Sequence, residues 1–243
     1  MGITSRKPRF LFIISLFLLT IAVLVEKPGL SEPEPAVDSN SSSIPAQIQE
    51  IWSNVFRSRR PAPRRRVSRP GEFCSVAIDP LSSEALAAWS PRPTFVWQGA
   101  VESIELKSAD SQQVLAQMNL SNLTIDPTVR IRHVTYTGDG VQPGQDYQWV
   151  VTFRNREPQS FAFRVMPSAE FDRIKADLQT LTSEQRAAGA SAETIALRQA
   201  DYFAERQLWS DFWRTALLVE QPSPELKTLL QSIATDVCSP PQQ

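Results

Sequence analysis

The fold is decided by residues 142–165, QPGQDYQWVVTFRNREPQSFAFRV, in which a turn is followed by two β-rich runs. Pro143 presets φ at about −65° and Gly144 accepts a positive φ, as a type II turn requires. Residues 147–153 are strand-like, and residues 161–165 alternate apolar and polar side chains. Alternation of this kind is typical of a strand with one buried face, so the segment predicts two neighbouring strands.

Further strand-like runs precede this segment. They are residues 94–97, 101–106, 114–120 and 130–136, and turn signals separate them. About six short strands at this spacing predict an immunoglobulin-like antiparallel β-sandwich as a domain over residues 73–167.

After this domain the hydrophobic spacing changes to the period of a helix. Ser168 is expected to cap a first helix, which Gly189 ends. Ser223 is expected to cap the last helix, with Pro224 in its first turn. The sequence therefore predicts a helical hairpin or bundle as a second domain over residues 168–238, and an α+β fold class overall.

The N-terminus has the layout of a secretory signal. Arg6, Lys7 and Arg9 precede an apolar run from residue 10 to residue 25. That run is shorter than the roughly 20 residues that cross a bilayer. Residues 1–31 are therefore expected to be either a cleaved signal peptide or an N-terminal hydrophobic helix that anchors the chain. In both cases the body lies outside the cytoplasm, as a periplasmic or a membrane-anchored protein.

Residues 32–72 are rich in Pro, Ser and Arg and predict a linker, with a disordered spacer over residues 26–43. Apolar residues at helical spacing predict an amphipathic helix within it, over residues 44–56. An arginine tract without acidic residues follows this helix. The candidate membrane or polyanion contacts are Trp52, Phe56, Arg57, Arg59, Arg60, Arg64, Arg65, Arg66 and Arg69.

Three interpretations of this segment stay open. The helix could dock on its own domain, with the tract as a solvated linker. It could instead lie in an anionic lipid surface while the arginines bind headgroups. The tract could also bind another polyanion or an acidic partner, because the residues from 73 onward are themselves acidic, with 14 Lys and Arg against 20 Asp and Glu. Nucleic acid is not an expected partner outside the cytoplasm.

The chain has two cysteines, Cys74 and Cys238. An even number of cysteines in an exported chain favours a disulfide. Two buried free thiols are the alternative.

Three segments resemble a fibronectin type III or immunoglobulin-like module: residues 93–97 (PTFVW), 142–149 (QPGQDYQW) and 161–165 (FAFRV). In such modules the aromatic residues of these strands fill the core between the sheets. The core or corner residues that the resemblance implies are Trp97, Tyr147 and Trp149, and it implies no catalytic role for them.

A second resemblance covers about residues 60–238. The leader, the arginine–proline tract, Gly71 with Cys74, and the helix start Leu208-Trp209-x-Asp211 resemble a cyanobacterial exported family, domain of unknown function 928. This resemblance implies an exported β-plus-helical protein and implies no activity.

The motifs of common enzyme and metal sites are missing from the sequence. There is no nucleophile elbow, phosphate-binding loop or dinucleotide fingerprint. His133, the single histidine, has no Ser, Cys or carboxylate at a recognisable motif spacing, and it is expected on a strand surface. One His and two distant Cys cannot supply a standard zinc site. The sequence predicts no catalytic residue, no metal and no cofactor.

The expected function is that of an exported, envelope-associated, non-catalytic binding or scaffolding protein. The sandwich edge or a helical groove would contact a protein or a glycan. One alternative is an envelope glycan hydrolase that uses paired carboxylates. The pairs Asp172 with Asp177 and Glu102 with Glu105 are present, but their positions are more typical of solvated helix and strand faces. The other is a peripheral membrane-surface protein held by the amphipathic helix and the arginine tract.

Overall fold

A computed structural model describes residues 73–77, 86–121, 123 and 130–238. All of these residues belong to one compact unit. They form a mixed α+β fold with two β-sheets and four helices, which confirms the predicted fold class. The predicted leader, the linker, the helix over 44–56 and the arginine tract lie outside the described residues. Within the described ranges, no helix is long and apolar enough to cross a membrane.

Eight strands are found in the described part of the chain, and they form two sheets. The first sheet has the order β1-β3-β6 and the second has the order β2-β8-β7-β4-β5. All pairs are antiparallel except β2 with β8, which is parallel. The strands are β1 (Cys74–Ser75), β2 (Leu86–Ala88), β3 (Thr94–Gln98), β4 (Ser103–Ser108), β5 (Val114–Gln117), β6 (Arg132–Thr135), β7 (Asp146–Phe153) and β8 (Arg156–Val165).

Strands β7 and β8 confirm the two strands predicted from residues 142–165. Every second residue of β7 is buried, and Trp149 pairs in register with Phe161 of β8. The turn before β7 also forms as predicted, because Gly144 has a φ of +74° and Gln145 N–H donates to the carbonyl of Gln142 at 3.4 Å.

The two sheets contribute side chains to one hydrophobic core. The ring of Phe95 in β3 lies 5.8 Å from that of Trp149 in β7 and 5.3 Å from that of Phe161 in β8. Trp97 and Trp149 are both fully buried. These two residues therefore have the core role that the resemblance implies.

Some strand boundaries differ from the prediction. β8 begins at Arg156, before the predicted start at residue 161, because the first half of the strand pairs with β7 while its side chains stay exposed. An exposed half-strand has no apolar alternation to mark it. The short strands β1 and β2 were not predicted either, since two or three residues are too few to show a period.

Four helices follow the sheets in the described part of the chain: α1 (Ser168–Ala187), α2 (Ala192–Glu205), α3 (Trp209–Leu217) and α4 (Pro224–Cys238). Ser223 caps α4, since its hydroxyl accepts the N–H of Leu226 at 3.1 Å. The prediction that Ser168 caps α1 is wrong. The cap position is Pro167, whose carbonyl accepts the N–H of Phe171 at 3.0 Å, so Ser168 is already the first helical residue.

A disulfide joins Cys74 of β1 to Cys238 at the end of α4, with the Cα atoms 5.8 Å apart. The predicted bridge is confirmed, and the alternative of two free thiols is wrong. The bridge spans a sequence separation of 164 residues. By the chain-entropy relation, closing such a loop stabilises the fold by about 5 kcal/mol.

Candidate functional site

The site residues predicted from the sequence form two groups, a candidate disulfide and a set of candidate membrane or polyanion contacts. Cys74 and Cys238 are bonded to each other, as described above. The candidate membrane and polyanion contacts, from Trp52 to Arg69, lie outside the described residues.

A shallow groove lies between α1 and α2. It encloses about 440 Å³ and is open to solvent along its length. The residues that line it are Asp177, Thr180, Leu181, Glu184 and Gln185 from α1, and Arg198 and Tyr202 from α2. The groove thus offers carboxylates, a guanidinium, an amide and a phenol to a ligand.

Tyr202 is held in place at one wall of this groove. Its hydroxyl donates to the Asp177 carboxylate at 2.5 Å, and the Arg206 guanidinium carbon lies 3.4 Å from the centre of its ring. Partial burial, together with the hydrogen bond to Asp177, raises the pKa of Tyr202 to about 12. Like any tyrosine, Tyr202 is protonated at neutral pH, and its single proton is donated to Asp177.

One further hydrogen bond joins α1 to α2 beside the groove. Gln199 of α2 donates from Nε2 to the hydroxyl of Thr182 in α1 at 2.9 Å. The Thr182 hydroxyl in turn donates to the carbonyl of Leu178, within α1, at 2.6 Å. The hydrogen bonds of Gln199 and Tyr202 therefore both link α2 to α1.

A second polar site joins the helices to the sheets. The carboxylate of Asp211, at the start of α3, accepts the backbone N–H of Trp89 at 2.7 Å and that of Ser90 at 2.8 Å. Its neighbour Ser210 accepts the N–H of Thr94 at 2.9 Å and donates to the carbonyl of the same residue at 3.0 Å. Together these side chains satisfy four backbone groups of the segment that leads from β2 into β3.

The indole of Trp89 completes this junction. Its ring stacks on Phe171 of α1, with the centroids 5.1 Å apart, and contacts Phe203 of α2 at 5.4 Å. The indole N–H donates to the carbonyl of Phe171 at 3.1 Å. One residue of the β2–β3 connection therefore contacts two helices and, through Asp211, a third.

Asp211 is the carboxyl group whose surroundings perturb it most clearly among the described residues. Burial raises its pKa to about 6, against the opposing effects of the two N–H donors and of the Arg214 guanidinium. Its exposed fraction is 2%, so a substrate cannot reach it. We therefore assign Asp211 a structural role.

The other groups considered for chemistry do not converge on one place. Asp177 accepts a hydrogen bond from Tyr202 in the groove, and Glu105 on β4 forms an ion pair with Lys107 at 2.9 Å. His133 is half-buried in β6, where burial lowers its pKa. No group of three or more His, Cys, Asp or Glu within the described ranges is placed to hold a metal ion.

Comparison with models of protein families, with curated proteins and with solved structures gives no match for this chain.

The sequence predicted that a helical groove or the sandwich edge would contact a partner, but it predicted neither the residues that line the groove nor the junction at Asp211. Asp211 is separated from Trp89 by 122 residues, and no local pattern links the two. Tyr202 and Asp177 are 25 residues apart on different helices. A signal existed only for Asp211, which belongs to the Leu208-Trp209-x-Asp211 motif. In the sequence, that motif only resembled a family, and it did not predict which residues Asp211 contacts.

Proposed function

We propose that this chain is an exported, envelope-associated, non-catalytic binding or scaffolding protein. Its groove between α1 and α2 contacts a protein or a glycan partner. The observation that carries this proposal is the groove between the two helices, in which the hydrogen-bonded pair of Tyr202 and Asp177 lies beside the guanidinium of Arg198. Binding sites typically combine a concave surface with a few positioned polar groups.

The body that presents the groove is proposed to be an immunoglobulin-like sandwich. The strand order supports this assignment, since a three-stranded and a five-stranded sheet share a core. All strand pairs are antiparallel except that of the short edge strand β2 with β8. The contacts of Phe95 with Trp149 and Phe161 join the inner faces of the sheets. Such sandwiches commonly serve as rigid carriers of binding surfaces.

Export is the second part of the proposal. The disulfide between Cys74 and Cys238 supports it, because structural disulfides persist in oxidising compartments. The apolar run of residues 10–25 supports it from the sequence. Membership of the family of unknown function 928 also remains a proposal. Its Leu208-Trp209-x-Asp211 motif coincides with the helix start that holds the sheets and helices together.

The test is photocrosslinking in cells that produce the full chain. A photoreactive residue replaces Thr180 in the groove, and the matched control replaces Thr228, an equally exposed threonine on α4. We expect one discrete adduct from position 180 and none from position 228. The Arg198→Glu substitution should abolish the adduct, because it reverses the charge of one groove wall. Adducts of equal yield from both positions, or an adduct that Arg198→Glu leaves unchanged, would contradict the proposal.

A further inference from the structure

Several strands begin or end at the same end of the two sheets. β3 ends at Gln98 and β4 begins at Ser103, so a short connection joins the two sheets there. Ser103 pairs with Thr152 of β7, which places the hairpin between β7 and β8 at this same end. Phe73, just before β1, also lies at this end, because its ring is 4.9 Å from the ring of Phe153.

Four arginines lie at this end, and we call them the basic end: Arg130, Arg132, Arg154 and Arg156. Arg154 and Arg156 belong to the β7–β8 hairpin and are exposed, as is Arg130. Arg132 pairs with Trp97 at the end of β3 and donates to the carbonyl of Gly99 at 3.0 Å.

Within the described part of the chain, no ion pair joins a carboxylate to an arginine of the basic end. Glu102 in the β3–β4 connection and Glu157 at the start of β8 are exposed, and neither belongs to an ion pair among the described residues. Arg156 is held by aromatic rings instead, with its guanidinium carbon 3.5 Å from the centroid of Phe153 and 5.4 Å from that of Phe73. Stacking of this kind leaves the N–H groups at the edge of the guanidinium free to bind an anion.

The N-terminal part of the chain enters the body at this end. Phe73 packs against Phe153, and the following residue, Cys74, pairs with Gln98. Arg69 precedes Phe73 by four residues, and four residues of chain span at most about 14 Å. In the sequence, the arginine tract therefore ends four residues before the point at which the chain enters the basic end.

We propose that the basic end lies against an anionic phospholipid surface, so that the β7–β8 hairpin faces the bilayer. Guanidinium groups bind phosphate through two parallel hydrogen bonds, which suits lipid headgroups. A lipid surface is favoured over a free polyanion because the chain that enters here also carries the apolar run of residues 10–25. The turn at residues 142–145, at the other end of β7, then points away from the membrane.

The test is photolabelling of the full chain reconstituted into vesicles that contain a trace of a headgroup-photoreactive lipid. One set of vesicles is phosphatidylcholine, and the other contains about one-third phosphatidylglycerol. Labelled residues are mapped by mass spectrometry at the hairpin (153–157) and at the distal turn (142–145). In anionic vesicles we expect about tenfold more label on the hairpin than on the turn, and added salt should reduce the difference.

Substitutions separate the basic end from a general charge effect. Arg130→Gln with Arg154→Gln removes two exposed charges and leaves the Arg156 stack and the Arg132 hydrogen bond intact. Arg92→Gln with Arg173→Gln removes two exposed charges elsewhere and is the matched control. The first pair should reduce hairpin labelling about tenfold and the control pair should leave it unchanged. Equal labelling of hairpin and turn, labelling that ignores lipid charge, or an equal effect of both variants would overturn the proposal. The groove experiment is unaffected by either result.

Discussion

Asp211 and Trp89 lie 122 residues apart in the sequence, yet the Asp211 carboxylate accepts the backbone N–H of Trp89 at 2.7 Å. The other carboxylate oxygen accepts the N–H of Ser90 at 2.8 Å. A side chain of the helical region thus satisfies two backbone donors of the β region. Buried N–H groups without an acceptor are costly, so this contact couples the two parts of the body.

Substitution of Asp211 should destabilise the whole described unit. Asp211→Ala leaves two backbone N–H groups without their acceptor and should lower the free energy of unfolding by about 2 kcal/mol or more. Asp211→Asn should cost less, because the carboxamide oxygen still accepts one N–H. Urea unfolding at about pH 4, where the folded form holds the Asp211 proton, measures both. Asp236→Ala, at an exposed position of α4, is the control and should change the value by less than about 0.5 kcal/mol.

The same residue gives stability a defined pH dependence. Burial raises the pKa of Asp211 to about 6, above the value near 4 of an unfolded chain. The folded form therefore holds this proton more tightly than the unfolded form. The contribution of this proton to the free energy of unfolding is fully present below about pH 4. It is lost as the pH rises through about 6, and the total change in the free energy of unfolding is on the order of 3 kcal/mol.

Comparison with Asp211→Asn isolates this effect, because the amide does not titrate. The advantage in unfolding free energy of the natural chain over the variant should shrink between about pH 4 and pH 7. An advantage that grows with pH would mean that the carboxylate is stabilised by its two donors more than it is destabilised by burial.

The wall of the groove has its own titration signature. The pKa of Tyr202 is raised to about 12, by burial and then by the hydrogen bond to Asp177. In an ultraviolet titration, the difference between the natural chain and Tyr202→Phe should report one phenol that ionises near pH 12. Asp177→Asn should move that ionisation to lower pH, since it removes the negative charge next to the phenol. A difference titration centred near pH 10 would show that neither the partial burial of Tyr202 nor its contact with Asp177 persists in solution.

Loss of the disulfide should weaken the fold without changing its architecture. Cys74→Ser with Cys238→Ser should lower the free energy of unfolding by about 2–5 kcal/mol. Thermal unfolding with and without reductant provides the comparison. Reductant should lower the melting temperature of the natural chain and leave that of the double variant unchanged. An effect of reductant on the variant as well would point to a cause other than this bridge.

Local chemistry made much of the fold predictable from sequence. The alternation of residues 161–165 gave the second half of β8, and the Pro143-Gly144 pair gave the turn before β7. Ser223 was correctly predicted as a cap, since capping depends on a few neighbouring residues. Ser168 was misassigned because the backbone of Pro167 closes the first turn of α1 by itself.

Long-range contacts could not be predicted in the same way. The junction of Asp211 with Trp89 depends on how the helices pack on the sheets, and no local pattern records that packing. The disulfide was expected from the number of cysteines and the presence of a leader, whereas its geometry comes from the pairing of β1 with β3 and the length of α4. The groove depends on the packing of α1 against α2, which the apolar spacing of neither helix reveals.

Intact-mass analysis of the native protein tests the central claim most directly, because it reports the compartment and the disulfide together. The protein is recovered separately from the envelope and the cytosolic fractions, alkylated without reduction, and weighed before and after reduction. We expect protein in the envelope fraction whose two cysteines resist alkylation until reductant is added. Protein found in the cytosol with both cysteines alkylated at once would contradict it.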